Sequence, residues 1–123
     1  GGIVMTQQYD SVGRIEVAPE VLIAIARQAI IETRGVRAMA AIPSEMANLF
    51  RRSTRHDGIV LDFADNRLTF DIYVYMDPGV NIVESSQTMQ AAVIEAMDKM
   101  VGIPVKAVNI HVEDVVYGQN QTA

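Results

Sequence analysis

Asn109, His111 and Glu113 occupy alternate positions of one strand-like stretch, and Asp71 and Tyr73 alternate positions of another. Every second residue of a strand projects to the same face. If the two stretches pair, a carboxylate, an imidazole and a phenol converge. Such a set supports acid–base chemistry, metal ligation or the polar anchoring of a partner. Acid–base work needs a cleft that shifts a pKa, and nothing in the sequence marks one. Metal ligation lacks its spacing, because His56 and His111 are the only histidines and lie far apart. A partner-docking surface that uses Tyr73, Tyr75 and His111 is the expectation, since tyrosine combines contact area with a polar handle.

A second cluster, Arg51, Arg52, Arg55 and His56, stands next to Phe50. It is expected in a mobile connection, where Arg51 and Arg52 would meet an acidic partner or anionic headgroups. Other catalytic templates fail for want of residues. There is no Gly-rich phosphate loop, and the chain has no cysteine, hence no thiolate nucleophile or disulfide. No catalytic residue, cofactor or metal ligand is expected, and the chain is not expected to be an enzyme.

The elements that must position these residues follow from local patterns. Gly13–Val17 alternates as a short strand. Pro19 and Glu20 then open a helix to about Thr33, stopped by Gly35. Its middle, Val21 to Ala26, is apolar on nearly every side, which predicts deep packing ahead of a subunit interface. Val36–Ile42 is a weak strand, and Ser44 is expected to cap a short helix from Glu45 to Arg52. Gly58–Phe63 is a strand with Ile59, Leu61 and Phe63 on one face, and Ala64-Asp65-Asn66 is hairpin chemistry. In the next strand Leu68, Phe70, Ile72, Val74 and Met76 point one way, while Thr69, Asp71, Tyr73 and Tyr75 point the other. Asn81, with Glu84 three residues on, caps a long helix whose Met89, Val93, Ala96, Met97 and Met100 form a core stripe. Gly102 and Pro104 end it, and the last strand turns Val108, Ile110 and Val112 inward.

The result is an α+β two-layer sandwich, with two main helices on one face of a mixed four- to five-stranded sheet. The other face would carry Arg14, Glu16, Asp62, Asp71, Tyr73, Tyr75, Asn109, His111 and Glu113. Residues 1–11 are expected to be a disordered or adventitious lead-in, 12–117 a single domain and 118–123 a frayed tail. At 123 residues with half of them apolar, the chain sustains one core. The net charge of −5 speaks against nucleic-acid binding. The absence of cysteine suits a cytoplasmic location.

Three blocks of this sequence resemble the alkaline shock protein family of envelope-stress-response proteins, found mainly in Gram-positive bacteria. The first is Gly13-Arg14-Ile15-Glu16-Val17-Ala18-Pro19-Glu20-Val21. The second is Gly35-Val36 after the acidic helix end at Glu32. The third runs from Gly79-Val80-Asn81-Ile82 through Gln90 and Met100-Val101-Gly102 to Val108-Asn109-Ile110-His111-Val112. Together they span about residues 12–117. The chain departs from the family at Asp77-Pro78, where an aromatic residue is usual, and at Ala41–Ser44, where a Gly-rich stretch is usual.

The resemblance implies a non-enzymatic, cytoplasmic and membrane-proximal scaffold or interaction protein. Its implied partners are itself, as a homo-oligomer, and a small membrane-anchored protein. The alternative is a regulatory or small-ligand-binding module linked to fatty-acid metabolism, as the resemblance to other paralogues implies. It would use the Tyr73, Tyr75 and His111 face or a pocket beneath the Arg51–His56 connection.

Overall fold

A computed structural model describes residues 2–6 and 14–114 of the chain. The order of elements is β1 (Ile3–Thr6), β2 (Arg14–Val17), α1 (Pro19–Ile31), β3 (Val36–Met39), β4 (Thr54–His56), β5 (Ile59–Ala64), β6 (Arg67–Met76), α2 (Ile82–Met100) and β7 (Val105–Glu113). A single 3-10 turn, Ser44–Met46, lies between β3 and β4.

The alternation of β6 makes it the centre of a mixed sheet. One edge pairs in parallel with β7, from Leu68 opposite Val105 to Tyr75 opposite Glu113. The other edge is shared: β5 pairs antiparallel with residues 67–72, and β3 with residues 74–76. β4 pairs antiparallel with β5 and completes five strands.

Leu68, Phe70, Ile72, Val74 and Met76 are all buried against the two helices. They meet Leu22, Ile23, Ala26 and Ile30 of α1 and Met89, Val93 and Met97 of α2. Both helices therefore cover one face, and the architecture is the α+β two-layer sandwich that the patterning predicts. Asn81 caps α2 by accepting a 3.0 Å bond from the Glu84 N–H. Gly102, at φ +69°, closes the other end, its N–H donating to the Met97 carbonyl. The Gln90 amide donates to the Val108 carbonyl at 3.0 Å and ties α2 to β7.

Two hairpins share one turn chemistry. Asp65 and Asn66 both have positive φ between β5 and β6, as the Asx pair predicts. Asp57 and Gly58 do the same between β4 and β5, where His56 faces Ile59. The Asp-Gly dipeptide is a hairpin signal in its own right, and it converts half of the expected mobile connection into β4.

Several expectations need correction. Ile3–Thr6, placed in a disordered lead-in, forms β1 and pairs with β2 from Ile3 opposite Val17 to Thr6 opposite Arg14. Its apolar and β-branched residues suit a strand. Arg14 and Glu16 thus belong to a separate two-stranded sheet rather than to the face carrying Asp71. Ser44 begins the 3-10 turn instead of capping a helix, and no helix extends to Arg52. Met100 and Phe63 are exposed rather than core, each lying at an end where its element outruns its cover. The expected tail over 118–123 lies outside the described residues.

The tightest point is the junction on the shared edge of β6. The Tyr73 N–H donates to the Gly58 carbonyl at 2.9 Å, and the Tyr73 carbonyl accepts from the Ala40 N–H at 2.8 Å. Gly58 has φ +78°, and a Cβ there would lie 2.3 Å from the Ala40 oxygen. Both the conformation and the space exclude a side chain. Gly58→Ala is expected to cost about 2–4 kcal/mol, combining backbone strain with overpacking. The urea unfolding midpoint measures it, against Gly79→Ala, where the conformation is strained but the space is open.

Candidate functional site

Parallel pairing of β6 with β7 brings together the residues first singled out. Asp71 lies opposite Asn109, Tyr73 opposite His111 and Tyr75 opposite Glu113. His111 Nε2 donates to Asp71 Oδ1 at 2.8 Å. The Tyr73 and His111 rings stack with centroids 4.3 Å apart and planes 10° from parallel. The strand register fixes the imidazole from one side by a carboxylate and from the other by an aromatic face.

This arrangement is closed. Tyr73 is only 2% exposed, in a small cluster with Ala40 and Val60, against which Ile42, Phe50 and Tyr75 pack. The chain between β3 and β4 folds back over this part of the sheet, and Phe50 is one of its cover residues. Tyr73 therefore does not present a contact surface, contrary to the expectation from its alternation. Tyr75 and His111 are half-buried beside it. The Tyr73 hydroxyl has no hydrogen-bond partner among the described residues. Burial first, and then the nearby charges of Asp71 and Glu113, push its pKa above the ordinary tyrosine value. Among the described residues, no group of three or more His, Asp or Glu side chains is placed to hold a metal ion.

Arg51 and Arg52 are exposed and lie apart from this cluster. The basic stretch is more ordered and less positive than its composition suggests. Arg55 Nη1 donates to the Ala47 carbonyl at 3.3 Å. The Asp57 carboxylate lies 3.7 Å from Arg27 Nε and 3.4 Å from His56 Nε2.

Arg52 does something else. With Thr54 and Asp62 it supplies the polar lining of a cavity of about 470 Å³, whose apolar lining includes Leu22, Leu61, Leu68 and Ile103. Phe63, 57% exposed, also lines it. The cavity shares Arg52 and Thr54 with the connection beneath which a pocket was expected, whereas the exposure of Phe63 was not legible beforehand. A strand-end phenylalanine looks like core until the neighbouring helix is seen to stop short of covering it.

The family model for the alkaline shock protein 23 family, described as having a cell envelope-related function, matches residues 7–117. The uncharacterized protein Spy1535 of Streptococcus pyogenes serotype M6 is 35% identical over 113 residues, covering 91% of this chain and 84% of its own. The uncharacterized protein YqhY of Bacillus subtilis is 28% identical over 109 residues, covering 88% and 81%. The uncharacterized protein Spy1614 of the same Streptococcus is 30% identical over 112 residues, covering 88% and 93%.

The buried phenol gives a pH test. Unfolded chains release a tyrosine proton near pH 10, whereas folded Tyr73 holds it to higher pH. The unfolded state then binds fewer protons, so this contribution to stability is intact below about pH 10 and is lost as pH rises through the folded value. Tyr73→Phe is expected to flatten that alkaline decline. At neutral pH the same substitution should be neutral or stabilising by up to about 1 kcal/mol, because it removes a buried hydroxyl that has no partner. Urea unfolding at neutral and alkaline pH measures both effects.

Proposed function

The chain belongs to the alkaline shock protein 23 family, whose function is cell envelope-related, and from that premise we propose that it is a non-enzymatic scaffold of the envelope stress response. It docks a partner and associates with itself. The observation that carries the docking is the cavity between α1 and β5. An apolar floor and a half-exposed phenylalanine suit an apolar anchor residue on a partner segment, and Arg52, which shares the rim with the Asp62 carboxylate, would pair with an acidic residue beside it. The closed Tyr73–His111 cluster supports the same view from the other side: the Asp71–His111 bond and the Tyr73–His111 stack hold β6 to β7. Among the described residues no helix is long and apolar enough to cross a membrane. In this proposal contact with the membrane is made through a membrane-anchored partner.

A second function rests on the same cavity. Its volume of about 470 Å³ falls within the usual range for small-molecule sites, roughly 300–1,000 Å³. Leucine walls suit a short acyl chain, and Arg52, which shares the lining with the Asp62 carboxylate, would pair with its anionic head. A thermal shift with a medium-chain fatty acid, lost in Arg52→Ala, would favour this ligand-binding module over the scaffold.

Co-sedimentation separates the scaffold from direct lipid binding. The chain is expected to sediment with membranes from its native cells and not with protein-free vesicles of their lipids. Phe63→Ser should weaken membrane retention by about 5- to 30-fold, the loss of about 1–2 kcal/mol of apolar contact. Arg52→Glu should weaken it comparably, with the unfolding midpoint of both variants nearly unchanged. Equal sedimentation with bare vesicles, or indifference to both substitutions, contradicts the proposal.

A further inference from the structure

Between Val21 and Ala26 the sequence puts apolar residues on nearly every side of α1, and the fold buries only some of them. Leu22, Ile23 and Ala26 reach the core, whereas Val21 and Ile25 are half-buried and Ala24 is exposed. A helix that is apolar all round belongs in a buried setting. The outer side of α1 is instead open, and it forms one wall of a groove against α2.

The apolar end of the groove, about 330 Å³, lies between Val21, Ala24 and Ile25 of α1 and Ala96 and Met100 of α2. Met100, the last residue of α2, is 66% exposed. A second stretch of about 580 Å³ continues past Glu32 to Arg34, with Glu95 and Lys99 on its far wall. Ala29, Glu32, Ala96 and Met100 border both stretches, so the two are one groove. From Val21 to Glu32 the chain rises about 16 Å, or three helical turns. That length fits a helix better than a single inserted side chain.

The charges around the groove select its occupant. Lys99 is paired with Glu95 at 2.8 Å. Glu32 accepts a 2.6 Å bond from the Gln28 amide, and neither Glu32 nor Arg34 makes an ion pair among the described residues. Glu32 thus stands beside the apolar end as a carboxylate without a cation. Anionic lipid is disfavoured here, because Glu20, Glu84, Glu95 and Asp98 join Glu32 as exposed acids of the same layer. The cations of the two helices are Lys99 and Arg27, and Arg27 lies 3.7 Å from Asp57.

We propose that this groove seats an amphipathic helix of a partner protein. Its apolar anchors, one turn apart, occupy the end between Val21 and Met100, and a lysine or arginine follows at the height of Glu32. Glu32 lies seven residues beyond Ile25, so the partner carries apolar residues at i and i+4 and the cation at i+7. The groove shares no lining residue with the cavity beside Phe63, and it gives the scaffold a second docking surface.

Two labelled peptides of about 15 residues test this by fluorescence anisotropy with the full chain. Both are helical in an alanine–glutamine background with leucine at i and i+4, and they differ by lysine or glutamate at i+7. The lysine peptide is expected to bind about fivefold tighter than the glutamate peptide. Glu32→Lys should reverse that preference, and Met100→Glu should weaken both peptides by about tenfold. Phe63→Ser should change neither. Absence of lysine-peptide binding at millimolar concentration overturns the proposal, as does a preference that Glu32→Lys leaves unchanged. Binding to phosphatidylglycerol vesicles that Met100→Glu abolishes would assign the groove to lipid and overturn it. A dimer that Met100→Glu dissolves would assign it to a second copy and overturn it as well. None of these outcomes bears on the membrane retention that depends on Phe63.

Discussion

The structure depends on the sharing of one edge of β6 between two segments distant in sequence. β5 occupies that edge up to Ile72 and β3 takes it over from Val74. At the handover, Tyr73 gives its N–H to Gly58 and receives the Ala40 N–H. A buried backbone group left without a partner costs about 1–3 kcal/mol, so a gap at this point would weaken the sheet at its centre. Two chain segments close enough to satisfy one residue leave no room for a Cβ, and the turn residue is a glycine at positive φ. The same handover carries the chain after Ala40 across the back of the sheet, where Phe50 packs against the cluster around Tyr73.

That geometry divides the molecule by use. The constellation with the most chemical promise, Asp71, Tyr73 and His111, is drawn into the closed part. Its hydrogen bond joins His111 to Asp71, and its ring stacking joins His111 to Tyr73, whose hydroxyl is buried without a partner among the described residues. A second small core forms on what alternation alone would leave as open sheet. In the function proposed above, contact with a partner falls to the margin, at the cavity beside Phe63, where α1 begins and β5 outruns its cover.

Much of this was written in the sequence because it is local. Asn81 and Gly102 bracket α2, Asp65 and Asn66 turn the β5–β6 hairpin, and the alternation from Leu68 to Met76 sets the core face. The pairing that unites Asp71, Tyr73 and His111 was conditional on strand order, and parallel register supplies it. What could not be read depended on contacts between distant segments. Tyr73 alternates like a solvent-facing residue and is buried by Phe50 and its neighbours, twenty residues or so earlier in the chain. Phe63 alternates like a core residue and is exposed because α1 does not reach it. Asp57-Gly58 did carry a readable signal for β4, but the arginines before it resemble a loop.

Native-state hydrogen exchange at the Ala40 and Tyr73 amides tests most directly whether the back of the sheet is closed by the shared edge. Both amides are predicted to exchange only by global unfolding, with its full denaturant dependence. Exchange through a small opening insensitive to denaturant would contradict this. It would mean that the segment carrying Phe50 lifts away, returning Tyr73, Tyr75 and His111 to an open surface on which a partner could dock.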